Sequence, residues 1–213
     1  MTHKITIIGL GNYGLDDLPL GIYRFIQQQD CVYARTLAHP VIEALREDIH
    51  FETFDDIYEA HQSFEDVYQT IVDRLLELAQ QQDVIYAVPG HPYVAETTTM
   101  LLLEAEKQRD DVSVNVLGGK SFIDDIFAAV KIDPNDGFTM LDGTDIQPEH
   151  LNVRTATIIT QVYSNMVAAD LKITLMERYP DDYHVKIVDG AHGGNAQITE
   201  LPLYELDRDA SYF

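Results

Sequence analysis

The chain has 213 residues, 46% hydrophobic and 23% charged, the balance of an ordinary soluble globular protein long enough to bury one large core or two small ones. Its 36 acids against 14 Lys and Arg give a net charge of −22, which argues against nucleic acid and anionic membrane surfaces as partners, since both demand basic side chains. A single cysteine excludes an internal disulfide and the Cys-rich zinc motifs, and with no signal peptide and no long apolar span the cytoplasm is the expected location.

Lys4–Ile8 predicts a first strand that runs into Gly9-Leu10-Gly11-Asn12-Tyr13-Gly14. Pro19 suits the first turn of a helix reaching to about Gln28. Cys31–Arg35 predicts a second strand, Val41–Arg46 a short helix, and Phe51–Phe54 a brief extended piece. Cys31 begins an apolar run and reads as an inert buried thiol. Apolar residues recur at helical spacing through Phe64, Val67, Ile71, Val72 and Leu75, so Phe64–Gln81 predicts an amphipathic helix.

Val84–Val88 is wholly apolar, as expected of a strand buried on both faces. It ends in Pro89-Gly90-His91-Pro92, and Val94–Lys107 then has helix-forming composition with Glu96 in its first turn. Strand, tight loop and helix start is where open parallel sheets place ligands, so this loop is expected to form one wall of a small-molecule site. Val112–Leu117 predicts another strand, and Ser121-Phe122-Ile123-Asp124 a capped helix start. Strands alternating with helices to this point imply a parallel sheet covered on both faces.

Lys131–Leu151 changes character around the turn cluster Asp133-Pro134-Asn135-Asp136-Gly137, followed by an apolar run at Phe138–Leu141. Strands are then expected at Ala156–Val162, His184–Val188 and Ala196–Leu201, the last two as a hairpin, with a helix at about Met166–Arg178. Strict alternation is lost, so a mixed sheet is expected. The division is therefore 1–118 for an N-terminal α/β lobe and 119–213 for a C-terminal α/β lobe, with Arg208–Phe213 reading as linker.

Gly9-x-Gly11-x-x-Gly14 formally matches a dinucleotide fingerprint, but Asp16 and Asp17 lie between loop and helix, where they would repel a diphosphate. The second strand ends in Arg35 rather than an acid, which leaves NADP open through a 2′-phosphate. Gly190-Ala191-His192-Gly193-Gly194-Asn195 lacks the Lys-Ser/Thr of a phosphate loop. The eight histidines show no metal spacing, so no metal is expected. Ser121 has no assignable base or acid and reads as a helix cap rather than a nucleophile.

Together Gly9-Leu10-Gly11, Tyr86 to Glu96, Ser121-Phe122-Ile123-Asp124, Gln161-Val162-Tyr163 and Leu203 to Arg208 resemble the tetrapyrrole (corrin/porphyrin) methylase family, which includes diphthine synthase. The match is closest to the methylase-like domain found N-terminal to a MazG-type nucleotide pyrophosphohydrolase domain. The resemblance implies two α/β lobes with S-adenosylmethionine in the cleft between them, in a homodimer. It implies cofactor contacts at Leu10, Gly90, His91, Val94, Ser121, Phe122, Val162, Tyr163 and Ala191. The family's usual Gly-Asp-Pro is Gly90-His91-Pro92 here, as in the MazG-linked branch, which removes a carboxylate near the cofactor. The EExxE metal helix of the MazG half is absent, so the chain reads as part of a longer protein or as a stand-alone domain.

Two functions follow. One is an S-adenosylmethionine-dependent methyltransferase acting on a tetrapyrrole-like or other bulky planar acceptor, with His91 and Tyr163 as candidates to orient the acceptor or remove a proton. The other is a non-catalytic module that binds such a ligand and regulates or dimerises an attached hydrolase. A net charge of −22 disfavours highly carboxylated porphyrinogens as acceptors, with 14 Lys and Arg available to offset it.

Overall fold

The computed structural model describes residues 3–60, 63–190 and 196–212. The chain divides into two compact units, Met1–Asp124 and Asp125–Phe213.

The first unit runs β1 (His3–Gly9), α1 (Leu20–Ile26), β2 (Cys31–Ala34), α2 (Pro40–Leu45), β3 (His50–Thr53), α3 (Asp55–Ala60), α4 (Phe64–Leu78), β4 (Val84–Val88), α5 (Thr97–Gln108) and β5 (Val112–Val116). The five strands form one parallel sheet in the order β3-β2-β4-β1-β5. The all-apolar β4 therefore lies at its centre, and period-two alternation sends its residues into two separate cores. Val84, Tyr86 and Val88 join Ile5 and Ile7 of β1 beneath α4 and α5. Ala87 joins Ile8, Val32 and Ala34 beneath α1 and α2. Helix α4 presents Val67, Ile71, Val72 and Leu75 to the first core, the stripe its spacing predicts, and Ser63 caps it by accepting from the Asp66 amide. Fully burying a side chain such as Ile71 or Leu75 stabilises by about 1.5–3 kcal/mol.

Three details differ from the sequence reading. Asp55–Ala60 is helical, a six-residue element too short to show a period. Helix α5 begins at Thr97 rather than Val94, because Ala95 takes a left-handed φ of 53° and Glu96 is the cap outside the first turn. Cys31 is half-buried at the start of β2 rather than enclosed.

After α6 (Phe122–Val130), the second unit contains β6 (Phe138–Asp142), β7 (Ala156–Thr160), α7 (Asn165–Met176), β8 (His184–Asp189) and β9 (Gln197–Pro202). Both pairing senses occur, in two separate ladders: β6 with β7 parallel and β8 with β9 antiparallel. The expected hairpin is thus present. Ala168, Leu171 and Leu175 of α7 form a core with Ile146, Leu201 and Leu203.

Candidate functional site

Strands β1 and β4 are neighbours, yet their chains leave in opposite directions. β1 leads to α1 over one face of the sheet, and β4 leads to α5 over the other. Their carboxyl ends are therefore a topological switch point, the place where open parallel sheets bind ligands. The backbone there is tied together across long sequence separations. Gly11 N–H donates to Gly90 O (3.2 Å), and Gly90 N–H donates to Gly11 O (2.7 Å). Gly9 N–H donates to Gly118 O (2.7 Å), so the segment after β5 joins the same cluster.

Glycine is required for this approach. A Cβ on Gly9 would sit 2.3 Å from Gly90 O and 2.8 Å from Pro92 Cδ, distances no side chain tolerates. Gly90 itself has φ 67°, the left-handed region that glycine enters without a Cβ penalty.

Around this backbone clamp lie four polar side chains, two of which bear on the clamp itself. His39, buried at the cap of α2, accepts from Val41 N–H at Nδ1 (3.2 Å) and donates from Nε2 to Gly11 O (3.0 Å). Both ring nitrogens are thereby assigned in the neutral form, and burial pushes its pKa below the ordinary value against the Gly11 bond that raises it. Asn12 Nδ2 is buried with no hydrogen-bond partner among the described residues, and a Cβ on Gly90 would meet its Oδ1 at 3.2 Å. A buried amide donor left open costs free energy, so a ligand acceptor would satisfy it. Lys120 is paired with Asp17. His91 accepts the Tyr93 amide at Nδ1 (3.1 Å), so the neutral ring carries its proton on Nε2.

Beneath the loop is a buried ionic network. Arg35 Nη1 donates to Glu96 Oε2 (2.6 Å), Arg35 Nε to Tyr58 OH (2.6 Å) and Arg35 Nη2 to Tyr68 OH (3.4 Å). Glu96 Oε1 accepts from Thr98 Oγ1 (2.6 Å) and the Thr98 amide (3.3 Å), which caps α5. The Glu96 side chain is 2% exposed and that of Arg35 22%. Burial pulls the Arg35 pKa down, but the Glu96 charge and the Tyr58 bond outweigh it and the net shift is upward. This corrects one expectation: Arg35 is already neutralised inside the protein and is not presented to a 2′-phosphate.

The expected site residues divide as follows. Leu10, Gly90, His91, Val94, Ser121 and Phe122 belong to segments at the β1, β4 and β5 carboxyl ends, with Leu10 and Ser121 buried and the others half-buried. Ser121 is a cap, as expected: its Oγ accepts from Ile123 N–H (3.2 Å), and Asp124 accepts from Ser121 N–H (3.3 Å). In the second unit Val162 follows β7 and is half-buried, with a Cγ2 that a Cβ on Gly143 would meet at 3.0 Å. Tyr163 beside it is 67% exposed. Ala191 lies outside the described residues. His39, Asn12 and the Glu96 partner of Arg35 were not legible in the sequence, since no local spacing connects them to the loops they support.

The sequence matches the family profile Tetrapyrrole (Corrin/Porphyrin) Methylases over residues 4–207. It is 46% identical over 212 residues to a Bacillus subtilis (strain 168) protein described as Uncharacterized protein YabN; the aligned region is 99% of this chain and 43% of that relative. The chain therefore spans less than half the length of the curated relative it matches. In fold it is similar to uroporphyrin-III-C-methyltransferase from Thermus thermophilus (TM-score 0.66, 19% identity, covering 97% of this chain and 86% of that one). It is likewise similar to diphthine synthase (TM-score 0.66, 18% identity, covering 97% and 84%). In no described helix is there a span long and apolar enough to cross a membrane.

Proposed function

Because the chain belongs to the tetrapyrrole (corrin/porphyrin) methylase family, we propose that it is an S-adenosylmethionine-dependent methyltransferase whose first unit binds the cofactor at the β1, β4 and β5 carboxyl ends. The observation that carries this reading is the backbone clamp itself. Gly9–Gly11, Gly90 and Gly118 are far apart in sequence yet hydrogen-bonded at one switch point, and all lie in or beside the segments that carry the family resemblance.

The chemistry of the residues fits a sulfonium nucleoside. Asp17 and Glu96 are paired with Lys120 and Arg35, so neither is an isolated charge. Besides the imidazoles of His39 and His91 the clamp is backbone and apolar side chain, and Asn12 Nδ2 offers one buried donor for an acceptor such as a ribose hydroxyl. With Arg35 held by Glu96, the 2′-phosphate of NADP lacks the cation that the NADP reading assigned to it.

S-adenosylmethionine, when bound, supplies a methyl group on a positively charged sulfur for in-line displacement. The protein's part is positioning, which can account for much of the acceleration in such a transfer. Pro89 and Pro92 stiffen the loop, Gly90 allows the close backbone approach, and the Gly11–Gly90 pair fixes the loop's height over β1. His91 presents an Nε2–H, which suits it to orient an acceptor by donating a hydrogen bond. Taking a proton there would first require the other tautomer and loss of the Tyr93 contact.

A second reading, a ligand-binding or regulatory module attached to a MazG-type hydrolase in a longer chain, is favoured by His91 standing where the family's usual loop has Asp. The fact that the chain spans 43% of its relative leaves room for such a partner domain. A homodimer and a tetrapyrrole-like acceptor are part of the first proposal. Calorimetric titration with S-adenosylhomocysteine tests the cofactor site. Micromolar binding, lost in Gly90→Trp and weakened in Asn12→Ala at unchanged circular dichroism, supports it, and no binding overturns it. Binding without methyl transfer to any planar acceptor would favour the module.

A further inference from the structure

The edge of the first sheet furthest from the β5 side carries a second group of reactive side chains. Cys31 opens β2, and the parallel register sets it directly opposite His50 on the edge strand β3. Strand alternation places Glu52, two residues on, on the same face as His50. One donor atom from each of Cys31, His50 and Glu52 lies within 4.8 Å of the other two, and His50 Nε2 stands 3.5 Å from Glu52 Oε1. We propose that these three residues form a zinc-binding site of three protein ligands, with the fourth position left to water.

The argument is one of donor chemistry and reach. A thiolate, an imidazole and a carboxylate together exclude Mg²⁺ and Ca²⁺, which select all-oxygen shells, and suit Zn²⁺ or its substitute Co²⁺. With metal–ligand bonds of about 2.0–2.3 Å, tetrahedral ligands stand roughly 3.3–3.7 Å apart. The His50–Glu52 separation already falls in that range. The remaining contraction, about 1 Å, is within reach of side-chain rotation, since the His50 and Glu52 side chains are 65% and 57% exposed. Glu52 also borders a surface depression of about 530 Å³ with Tyr33 and Thr53, and the exposed His50 and Glu52 side chains leave the corner open to a solvated ion. No sequence spacing announces the group, because its members come from two strands and meet only through the ladder.

Cys31 is the chain's single cysteine, which makes the test unambiguous. The reduced, metal-free protein is titrated with Co²⁺ and followed by absorption, then back-titrated with Zn²⁺. The proposal expects one equivalent bound, a thiolate-to-cobalt charge-transfer band with the intense visible bands of four-coordinate cobalt, and displacement of both by Zn²⁺. Cys31→Ser should abolish the charge-transfer band. His50→Ala and Glu52→Gln, both at exposed positions, should each weaken binding at least about tenfold, the loss seen when only a hydrogen-bonding partner of a ligand is removed. Cobalt bound without a charge-transfer band, or equally well by His50→Ala, would mean adventitious binding to surface carboxylates and overturn the assignment. So would an affinity no tighter than that for Mg²⁺.

Discussion

The Arg35–Glu96 pair offers the sharpest test of how the loop before α5 is held. Replacing Glu96 by Leu leaves the Arg35 guanidinium largely buried with only the hydroxyls of Tyr58 and Tyr68 for company, and removes the α5 cap. Replacing Arg35 by Met leaves a carboxylate that is 2% exposed with only the Thr98 donors. Breaking a buried pair from one side costs about 3–5 kcal/mol, because the survivor is an uncompensated charge. Set against a typical domain stability of about 5–15 kcal/mol, either single variant should lose a large share of its urea resistance. The double variant removes both charges and leaves polar atoms short of partners, chiefly the Thr98 hydroxyl that now bridges Tyr86 and Glu96. That residue of unmet hydrogen bonding is worth about 1–3 kcal/mol. The double variant should therefore be more stable than either single one. Urea unfolding of the four proteins, read by far-ultraviolet circular dichroism, gives the cycle directly. Additive losses, or single-variant losses under about 1 kcal/mol, would refute the reasoning that the pair is desolvated and mutually dependent.

His39 predicts a pH signature. Its folded pKa lies below the ordinary 6.5, so on acidification the unfolded chain takes the proton first. Its contribution is therefore full above that value and is lost as pH falls below it; the loss should be missing from His39→Gln, and parallel urea-midpoint curves for the two proteins would contradict this. Gly9→Ala should destabilise severely, beyond the roughly 1–3 kcal/mol of ordinary overpacking, since its Cβ meets backbone at 2.3 Å. Gly14→Ala, whose Cβ meets nothing within 4 Å, should leave the thermal midpoint nearly unchanged; similar midpoints for both variants would contradict the tight approach of the β1 and β4 loops.

Much of the first unit could be read from the chain because local pattern and global role agree there. The unbroken apolar run of β4 announces a strand buried on both faces, and the stripe of α4 announces its core side. The sequence starts α5 too early because Val94-Ala95-Glu96 has helix-forming composition with an acid suited to a first turn, while the left-handed Ala95 that precedes the cap has no sequence signal. Site residues that announce themselves are those in glycine and proline loops. His39 reaches Gly11 across 28 residues of sequence, Arg35 reaches Glu96 across 61, and Asn12 lies against Gly90 from further still, and only the fold brings such partners together. The hairpin of β8 and β9 was legible from two strand-forming runs flanking the glycine-rich sequence 190–194, whereas the separation of the second unit's strands into two ladders depends on tertiary packing that alternation does not encode.

The central claim is that three loop segments of the first unit bind an adenosyl sulfonium compound. Amide hydrogen exchange with and without saturating S-adenosylhomocysteine addresses it most directly. Slowed exchange at the amides of Gly9–Asn12, Gly90–Val94 and Gly118–Phe122, with little change along α4, is the expected result. Unchanged exchange at those amides, or protection confined to the β3 edge, would contradict it.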